Sequence, residues 1–318
     1  MSYYLLTDTA KPCTKEELFH ETGYKYAAVL TTAEWAADRE RFDMGIEWEP
    51  DTGDIYNTKA EVNYDSLTGT FQIPDRANIG EREFCFAYAL DEKGIVFIDD
   101  SGRAEQMIDT IRRTKRWRTP SLERFLHDFL EQIVDRDLSL MESYEEELNR
   151  IEDAVRGTEG QEDLGRVIEI HNAIRILLVH YEQLIDMTQE LEENENGFFS
   201  EENLRYIHLF MNLLVRRRDS AVSLRDHSTQ VRDLYHAQLE VRQNRIMTLL
   251  TVITTIFMPL TLIVGWYGFA DRSDNTEPPL TIEMNQRIIE LTSPASQHHR
   301  AAAVPGSLLT VIDQGVWR

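Results

Sequence analysis

The chain has 318 residues, of which 56 are acidic and 33 are basic, so its formal net charge is −23 at pH 7. A field of that sign repels nucleic acid and attracts divalent cations, so nucleic acid is excluded as a partner. The two cysteines, Cys13 and Cys85, lack the spacing of metal ligands, which predicts a reducing compartment and no disulfide.

Residues 1–118 are predicted to form a cytoplasmic α/β domain. Thr14 with Glu17 makes a capping box for a short helix, and Thr32 opens a second helix. The apolar pattern predicts one hairpin from 59–64 and 70–73 around a turn at 65–69. It predicts another from 84–90 and 95–98. A helix over 101–115 carries Met107, Ile108 and Ile111 on one side.

Residues 119–245 are predicted to form a long-helix hairpin and a stalk. One helix runs from Thr119 to about Arg156, a return helix runs from about Glu162 to Glu193, and a third begins at Ser200. The apolar residues expected to face inward on the return helix are Leu164, Val167, Ile168, Ile174, Leu177, Leu178, Tyr181, Leu184 and Ile185.

Residues 246–270 form an uncharged run that predicts a transmembrane helix, because about 20 apolar residues cross a bilayer. A buried core helix is the alternative, although such helices are usually shorter. Arg242 and Arg245 precede the run, which places the N-terminal part in the cytoplasm; Trp266 and Tyr267 suit the far interface. No signal peptide is expected at the N-terminus.

No proline or glycine interrupts the chain between Ser200 and Pro259. A continuous helix from Ser200 through the span would be about 100 Å long. A kink or break near Glu240 is the alternative. Residues 271–279 are polar, residues 293–300 carry the pair His298 and His299, and the apolar run 308–312 is too short to span a membrane. Residues 271–318 are therefore predicted to be a disordered tail without a second membrane helix. The fold class is therefore α+β, with a very long stalk helix that continues into the membrane.

No sequence pattern for an enzyme is present. A phosphate-binding loop, HExxH, CxxC and a nucleophile elbow are all missing, so a non-enzyme is expected. His127, His171 and His180 lie on predicted long helices and are expected to be exposed or hydrogen-bonded rather than catalytic. A soluble enzyme would need a reaction centre that these motifs do not supply.

Small and polar residues recur every three or four positions through the stalk and span, which places them on one helix face. Either several copies share this face as a polar axis, or the threonines bond their own helix and the small residues only pack. The face comprises Asp233, Ala237, Glu240, Asn244, Met247, Thr251, Thr254, Met258, Thr261, Gly265 and Gly268.

The segment RQNRIMTLLTVITTIFMPLTLIVGWYG, residues 242–268, resembles the stalk end and first membrane helix of the CorA family of magnesium and cobalt channels. Residues 121–155 and 197–206 also resemble its cytoplasmic helices. The resemblance covers residues 84–268. It implies a homopentamer in the inner membrane, in contact with lipid, that conducts Mg²⁺, with Co²⁺ or Ni²⁺ as further candidate ions and no organic cofactor.

The resemblance also implies roles for individual residues. Asn244 forms a metal-binding ring at the cytoplasmic mouth, and Asp233 forms an acidic metal-binding ring lower in the funnel. Met247 and Leu250 form a hydrophobic constriction, which stops ions by dewetting. The remaining pore-lining residues are Thr254, Met258, Thr261, Gly265 and Gly268.

The selectivity motif departs from the family. The first span of the family ends Tyr-Gly-Met-Asn, whereas this chain has Tyr267, Gly268, Phe269 and Ala270, and residues 271–318 do not resemble a second span. Weak or no transport is therefore expected. The alternative function is a single-span, non-transporting subunit that senses Mg²⁺ or regulates a full-length paralogue.

Overall fold

The computed structural model describes residues 1–20, 23–44, 50, 55–81, 83–157 and 164–270. It divides the chain into two compact units, Met1–Gln243 and Asn244–Arg318. The expected disordered tail, with His298 and His299, lies outside the described residues.

A seven-stranded mixed sheet forms the centre of the N-terminal part of the first unit. Its order is β2-β1-β3-β7-β6-β5-β4, and every neighbouring pair is antiparallel except β3 with β7. The strands are β1 (Ser2–Leu6), β2 (Ala10–Cys13), β3 (Lys25–Leu30), β4 (Lys59–Val62), β5 (Leu67–Pro74), β6 (Glu83–Leu90) and β7 (Gly94–Ile98).

Both predicted hairpins form, and the first has a different turn. Strand β4 ends at Val62 and β5 begins at Leu67, because the Asn63 N–H donates to the Ser66 carbonyl over 2.8 Å and closes the turn earlier than 65–69. Gly69, expected in the turn, instead pairs with Ala60. In the second hairpin, Asp91 Oδ1 accepts N–H groups from Lys93 at 2.7 Å and Gly94 at 2.9 Å.

Gly94 lies where the Tyr26 backbone passes closely, so a side chain there has no room. A Cβ at Gly94 would lie 2.7 Å from the Tyr26 ring and would also clash with the Tyr26 carbonyl oxygen. Gly94→Ala is therefore expected to lower the free energy of unfolding by about 1–3 kcal/mol, the usual cost of overpacking. Gly23→Ala is the control, since no atom lies within 4 Å of its added Cβ. Circular dichroism measures the thermal unfolding of both variants. Equal unfolding midpoints would contradict this expectation.

Three short helices accompany the sheet: α1 (Lys15–His20), α2 (Thr32–Phe42) and α3 (Arg103–Thr114). The capping box at α1 is confirmed, because the Glu17 N–H donates to Thr14 Oγ1 and the Thr14 N–H donates to Glu17 Oε2. Helix α2 begins at Thr32, with Thr31 as its N-cap. The predicted inner face of α3 is also confirmed, since Met107, Ile108 and Ile111 are buried.

The single helix predicted from Thr119 to Arg156 is wrong, because the chain forms α4 (Leu122–Ile133) and α5 (Asp137–Arg156). In one helix the Asp137 N–H would donate to the Ile133 carbonyl. That carbonyl instead accepts from Arg76 Nη2 at 2.9 Å, and the Asp137 N–H donates to the Val134 carbonyl at 3.2 Å. A tertiary contact from Arg76 thus interrupts the helix.

Helix α4 packs on the sheet through aromatic rings. The Phe129 ring lies 4.4 Å from the Phe97 ring, centroid to centroid, and both are buried. Phe71, Phe86 and Phe125 surround this pair. Stacked and edge-on pairs of this kind add to the stabilisation from burial alone. This cluster fixes α4, and hence the start of α5, against the sheet.

The return helix is confirmed as α6 (Leu164–Glu193), preceded by residues 158–163 outside the described part. Its inner face is mostly as predicted, with Val167, Ile174, Leu177, Leu178, Tyr181 and Leu184 buried. Ile168 is the exception. It is 46 % exposed because its neighbours Val167 and Ile170 occupy the packed side of this turn.

The last helix, α7, runs from Leu204 to Ala270 and contains Pro259. It begins four residues later than the predicted start at Ser200. The Ser200 N–H donates to Glu123 at 2.8 Å, and the Ser200 carbonyl accepts from the N–H groups of Asn203 and Leu204. Residues 201–203 therefore form a turn. The predicted long helix is confirmed, and no break occurs near Glu240.

Candidate functional site

The C-terminal part of α7 is apolar and uncovered in the single chain. Its side chains from Ile246 to Tyr267 are exposed, including Met247, Leu250 and Met258. Among the described residues, one helix is long and apolar enough to cross a membrane, and its apolar window is not buried. Exposed apolar patches of this size are typical of surfaces that lipid or another protein chain covers, and the length suits a membrane span.

The threonines of this segment bond their own helix. Thr251 donates to the Met247 carbonyl at 2.8 Å, and Thr254 donates to the Leu250 carbonyl at 3.0 Å. Thr261 likewise donates to the Phe257 carbonyl at 2.7 Å. The sequence left open whether the threonines bond their own helix, and the structure shows that they do. These bonds affect what the hydroxyls can offer to other molecules. Once its proton is used in this way, each hydroxyl offers only oxygen lone pairs to its surroundings.

The other predicted pore residues lie along the same helix. Asn244 is exposed, and its side-chain amide makes no hydrogen bond to any described residue. Met247, Leu250 and Met258 are exposed, and a Cβ added at Gly265 would meet no atom within 4 Å. Gly268, Phe269 and Ala270 form the last residues of α7. One face of a single helix therefore carries the predicted residues from Asn244 to Gly268.

Asp233 belongs to the first unit and is also exposed. Its Oδ1 lies 3.7 Å from Arg232 Nε, and the side chains of Asp233 and Arg232 are 68% and 43% exposed. An exposed pair of this kind is weak, because water and salt screen it. The Asp233 carboxylate is therefore available to a cation.

A second group of possible metal ligands, which the sequence analysis missed, lies on α4. Atoms of His127, Asp128 and Glu131 lie within 4.8 Å of one another. The spacing of one and four residues on a helix was the available signal. However, Asp128 already accepts from Trp117 Nε1 at 2.7 Å and lies 3.6 Å from Lys115 Nζ.

Charges around Asp128 are balanced by the protein itself. Burial would raise the pKa of Asp128, but hydrogen bonds from His127 and Trp117 and the charges of Arg124 and Lys115 outweigh it and lower the pKa. Lys115 also pairs with Glu131 at 3.1 Å. This group is an ion-pair network rather than an open metal site.

The three histidines differ from one another. His127 and His171 have partners, Asp128 and Ser228 respectively, as expected. His180 meets the expectation only in part: it is buried, the Gln72 backbone lies near its ring, and neither ring nitrogen makes a well-formed hydrogen bond to a described residue. Burial and the charge of Arg76 lower the pKa of His180 to about 3, so its ring is neutral.

A mixed sheet with short helices, a group of long helices and a final helix long and apolar enough to cross a membrane define a protein of the α+β class. The chain belongs to the CorA family, because the model of the CorA-like Mg²⁺ transporter proteins matches residues 54–269. The family resemblance and the fold class inferred from the sequence are thereby confirmed.

Relatives support this assignment at different levels. The chain is 24% identical over 167 residues to the cobalt/magnesium transport protein CorA of Thermotoga maritima, a match that covers 51% of this chain and 48% of that protein. The chain thus spans about half the length of the curated relatives it matches.

Solved structures show the same fold at low identity. The full-length CmaX protein superposes with a TM-score of 0.67 at 13% identity, covering 99% of this chain and 93% of that one. The CorA magnesium transporter of Methanocaldococcus jannaschii gives 0.65 at 15% identity and covers 88% of each chain.

Proposed function

We propose that this chain is a subunit of a homopentameric channel for hydrated divalent cations, chiefly Mg²⁺, in the cell's inner membrane. Its N-terminal unit faces the cytoplasm, and its function involves neither enzymatic catalysis nor nucleic acid. Co²⁺ and Ni²⁺ are further candidate ions. The single observation that carries the proposal is the face from Asn244 to Gly268, which carries one amide, three hydroxyls, two thioethers and two glycines on an exposed, mainly apolar helix.

The chemistry of that face suits a hydrated ion. Mg²⁺ gives up its water reluctantly, so a pore must accept the ion with its hydration shell. The waters of that shell direct their hydrogens outward and need acceptors. The hydroxyls of Thr251, Thr254 and Thr261 supply acceptors, because their own protons are already donated to backbone carbonyls. The amide oxygen of Asn244 supplies a further acceptor.

Gating follows from the residues between these acceptors. Five copies of Met247 and Leu250 would form apolar rings, which block ions when the pore there is too narrow to stay wet. Five copies of Asp233 would concentrate divalent cations on the cytoplasmic side. A cation bound by such carboxylates favours the closed state if that arrangement binds it more tightly than the open one does.

Thiol accessibility tests the proposed pore. In a chain whose Cys13 and Cys85 are replaced by alanine, Thr254→Cys is expected to react with a charged, water-soluble thiol reagent. The matched control, Ile256→Cys, lies about 200° around the helix and faces lipid. We expect Thr254→Cys to react at least about tenfold faster, because the reactive thiolate forms in water and not in lipid. Mg²⁺ at millimolar concentration should slow the reaction. Equal rates at both positions would reject the proposed pore face.

The last two residues of α7 favour a second function. Phe269 and Ala270 stand where the family pattern has Met and Asn, so the amide expected at the outer entrance is missing from this chain. This favours a non-transporting subunit that senses Mg²⁺ or regulates a full-length paralogue. Co-purification with such a paralogue, without Mg²⁺ flux through the chain alone, would support the second function over the first.

A further inference from the structure

A cavity of about 340 Å³ lies within the first unit. It is open to solvent on one side and is lined by the end of β5, the side of α3 and the junction between α4 and α5. Its volume falls in the range of small-molecule sites, about 300–1,000 Å³. On a chain with a net charge of −23, the cavity is unusual because Arg76, Arg103 and Arg136 all line it.

Two of these arginines have no carboxylate partner in the part of the chain that the structure describes. The Arg103 guanidinium carbon lies 4.9 Å from the centroid of the Phe84 ring, and its Nε is buried without a hydrogen-bond partner. Within the described residues, no carboxylate oxygen lies within 4.0 Å of the Arg103 or Arg136 guanidinium nitrogens. Arg76 differs, because it is paired with Asp137 and bonded to two carbonyls. The cavity therefore presents two guanidinium groups, of the partly buried Arg103 and the exposed Arg136, that no described carboxylate contacts.

The other polar residues that line the cavity restrict the class of ligand that can bind there. Asp75 uses Oδ1 to accept the Ala77 N–H at 3.1 Å, and Asp135 is exposed at the rim. Gln106 and Thr110 lie on the same wall as Arg103. A simple anion would satisfy the arginines but would leave these carboxylates unpaired, whereas a ligand that also carries hydroxyl groups could donate to them.

We propose that this cavity binds a small hydroxylated organic anion, with a carboxylate or phosphate group held by Arg103 and Arg136. Guanidinium groups suit these oxyanions because their N–H groups match the oxygen geometry. The Phe84 ring orients the Arg103 plane, so part of the cost of ordering that side chain is met before binding. The ligand would join α3 to the α4–α5 junction.

Calorimetry on the full chain in mild detergent tests this site. Citrate and glycerol 3-phosphate serve as the carboxylate and phosphate probes, in Mg²⁺-free buffer with chloride at constant ionic strength. We expect at least one probe to bind with a dissociation constant of about 1 mM or below. Arg103→Gln and Arg136→Gln should each weaken that binding about tenfold or more, the usual effect of losing a charged hydrogen bond.

Arg113→Gln is the matched control, because Arg113 lies on the same helix but its side chain is 74% exposed and it does not line the cavity. This variant should bind each probe as the unmodified chain does.

Binding of citrate alone would assign a carboxylate ligand, and binding of glycerol 3-phosphate alone would assign a phosphate ligand. Absence of heat from both probes up to about 10 mM would overturn the proposal. Equal weakening by Arg113→Gln would overturn it too. Neither result depends on ion conduction.

Discussion

Asp137→Ala is expected to lower the free energy of unfolding by about 3–5 kcal/mol, because it leaves a largely buried arginine without its counter-charge. The Asp137 side chain is fully buried, and its Oδ1 lies 2.6 Å from Arg76 Nε. Asp137 Oδ2 also accepts the Tyr181 hydroxyl at 2.9 Å. Burial, together with the Asp137 charge, raises the pKa of Tyr181, so this hydroxyl remains a donor. Thermal unfolding of the detergent-solubilised chain, followed by near-UV circular dichroism, measures the loss.

The exposed pair between Arg166 and Glu147 provides the control. Its two atoms lie 2.8 Å apart, but the Arg166 side chain is 43% exposed, so solvent screens the attraction. Glu147→Ala should therefore change the free energy of unfolding by no more than about 1 kcal/mol. If Asp137→Ala had an effect as small as that of Glu147→Ala, the buried junction would not hold α4, α5 and α6 together.

The double substitution Phe269→Met with Ala270→Asn is expected to raise Mg²⁺ transport about tenfold or more above that of the unmodified chain. An asparagine amide can hydrogen-bond the water shell of an entering ion, and one charge-assisted hydrogen bond is worth about 1.5–3 kcal/mol. Each 1.4 kcal/mol removed from a barrier gives about a tenfold change in rate. Growth of a strain deficient in magnesium transport, together with Mg²⁺ flux into vesicles, measures the change.

Phe269→Met with Ala270→Leu is the matched control, since leucine has about the size of asparagine but no amide. It should transport no better than the unmodified chain. Robust growth with the unmodified chain would show that the missing amide is not limiting, and equal gains in both double variants would show that size rather than hydrogen bonding matters.

Local patterns predicted those parts of the fold that depend on neighbouring residues. The β6–β7 hairpin follows from two apolar runs around residues 91–94, and the α1 cap follows from Thr14 and Glu17. The strands β1, β2 and β3 were missed, although Tyr26–Leu30 is an apolar run typical of a buried strand. The parallel pairing of β3 with β7 joins residues almost 70 positions apart, and no local pattern specifies it.

In the candidate site, too, local patterns predicted some features, whereas others depend on contacts between distant residues. The helix periodicity predicted which residues share the face from Asn244 to Gly268, and the structure places them on one uninterrupted helix. The surface that covers this face belongs to other molecules, either protein or lipid. The pore-lining role of these residues therefore stays a prediction. The cavity beside Arg103 was not foreseen, because its walls come from four separate stretches of sequence.

The Arg76 junction also bears on the order in which the chain folds. Arg76 and Asp137 are 61 residues apart, and Asp137 and Tyr181 are 44 apart. Contacts that close such long loops lose entropy before they gain energy, so they form after local helices do. Until Arg76 reaches its place, the Ile133 carbonyl is free to accept the Asp137 N–H, so residues 122–156 can form the one straight helix that their sequence favours. We therefore expect the bend between α4 and α5 to form late in folding, after the sheet has packed against these helices.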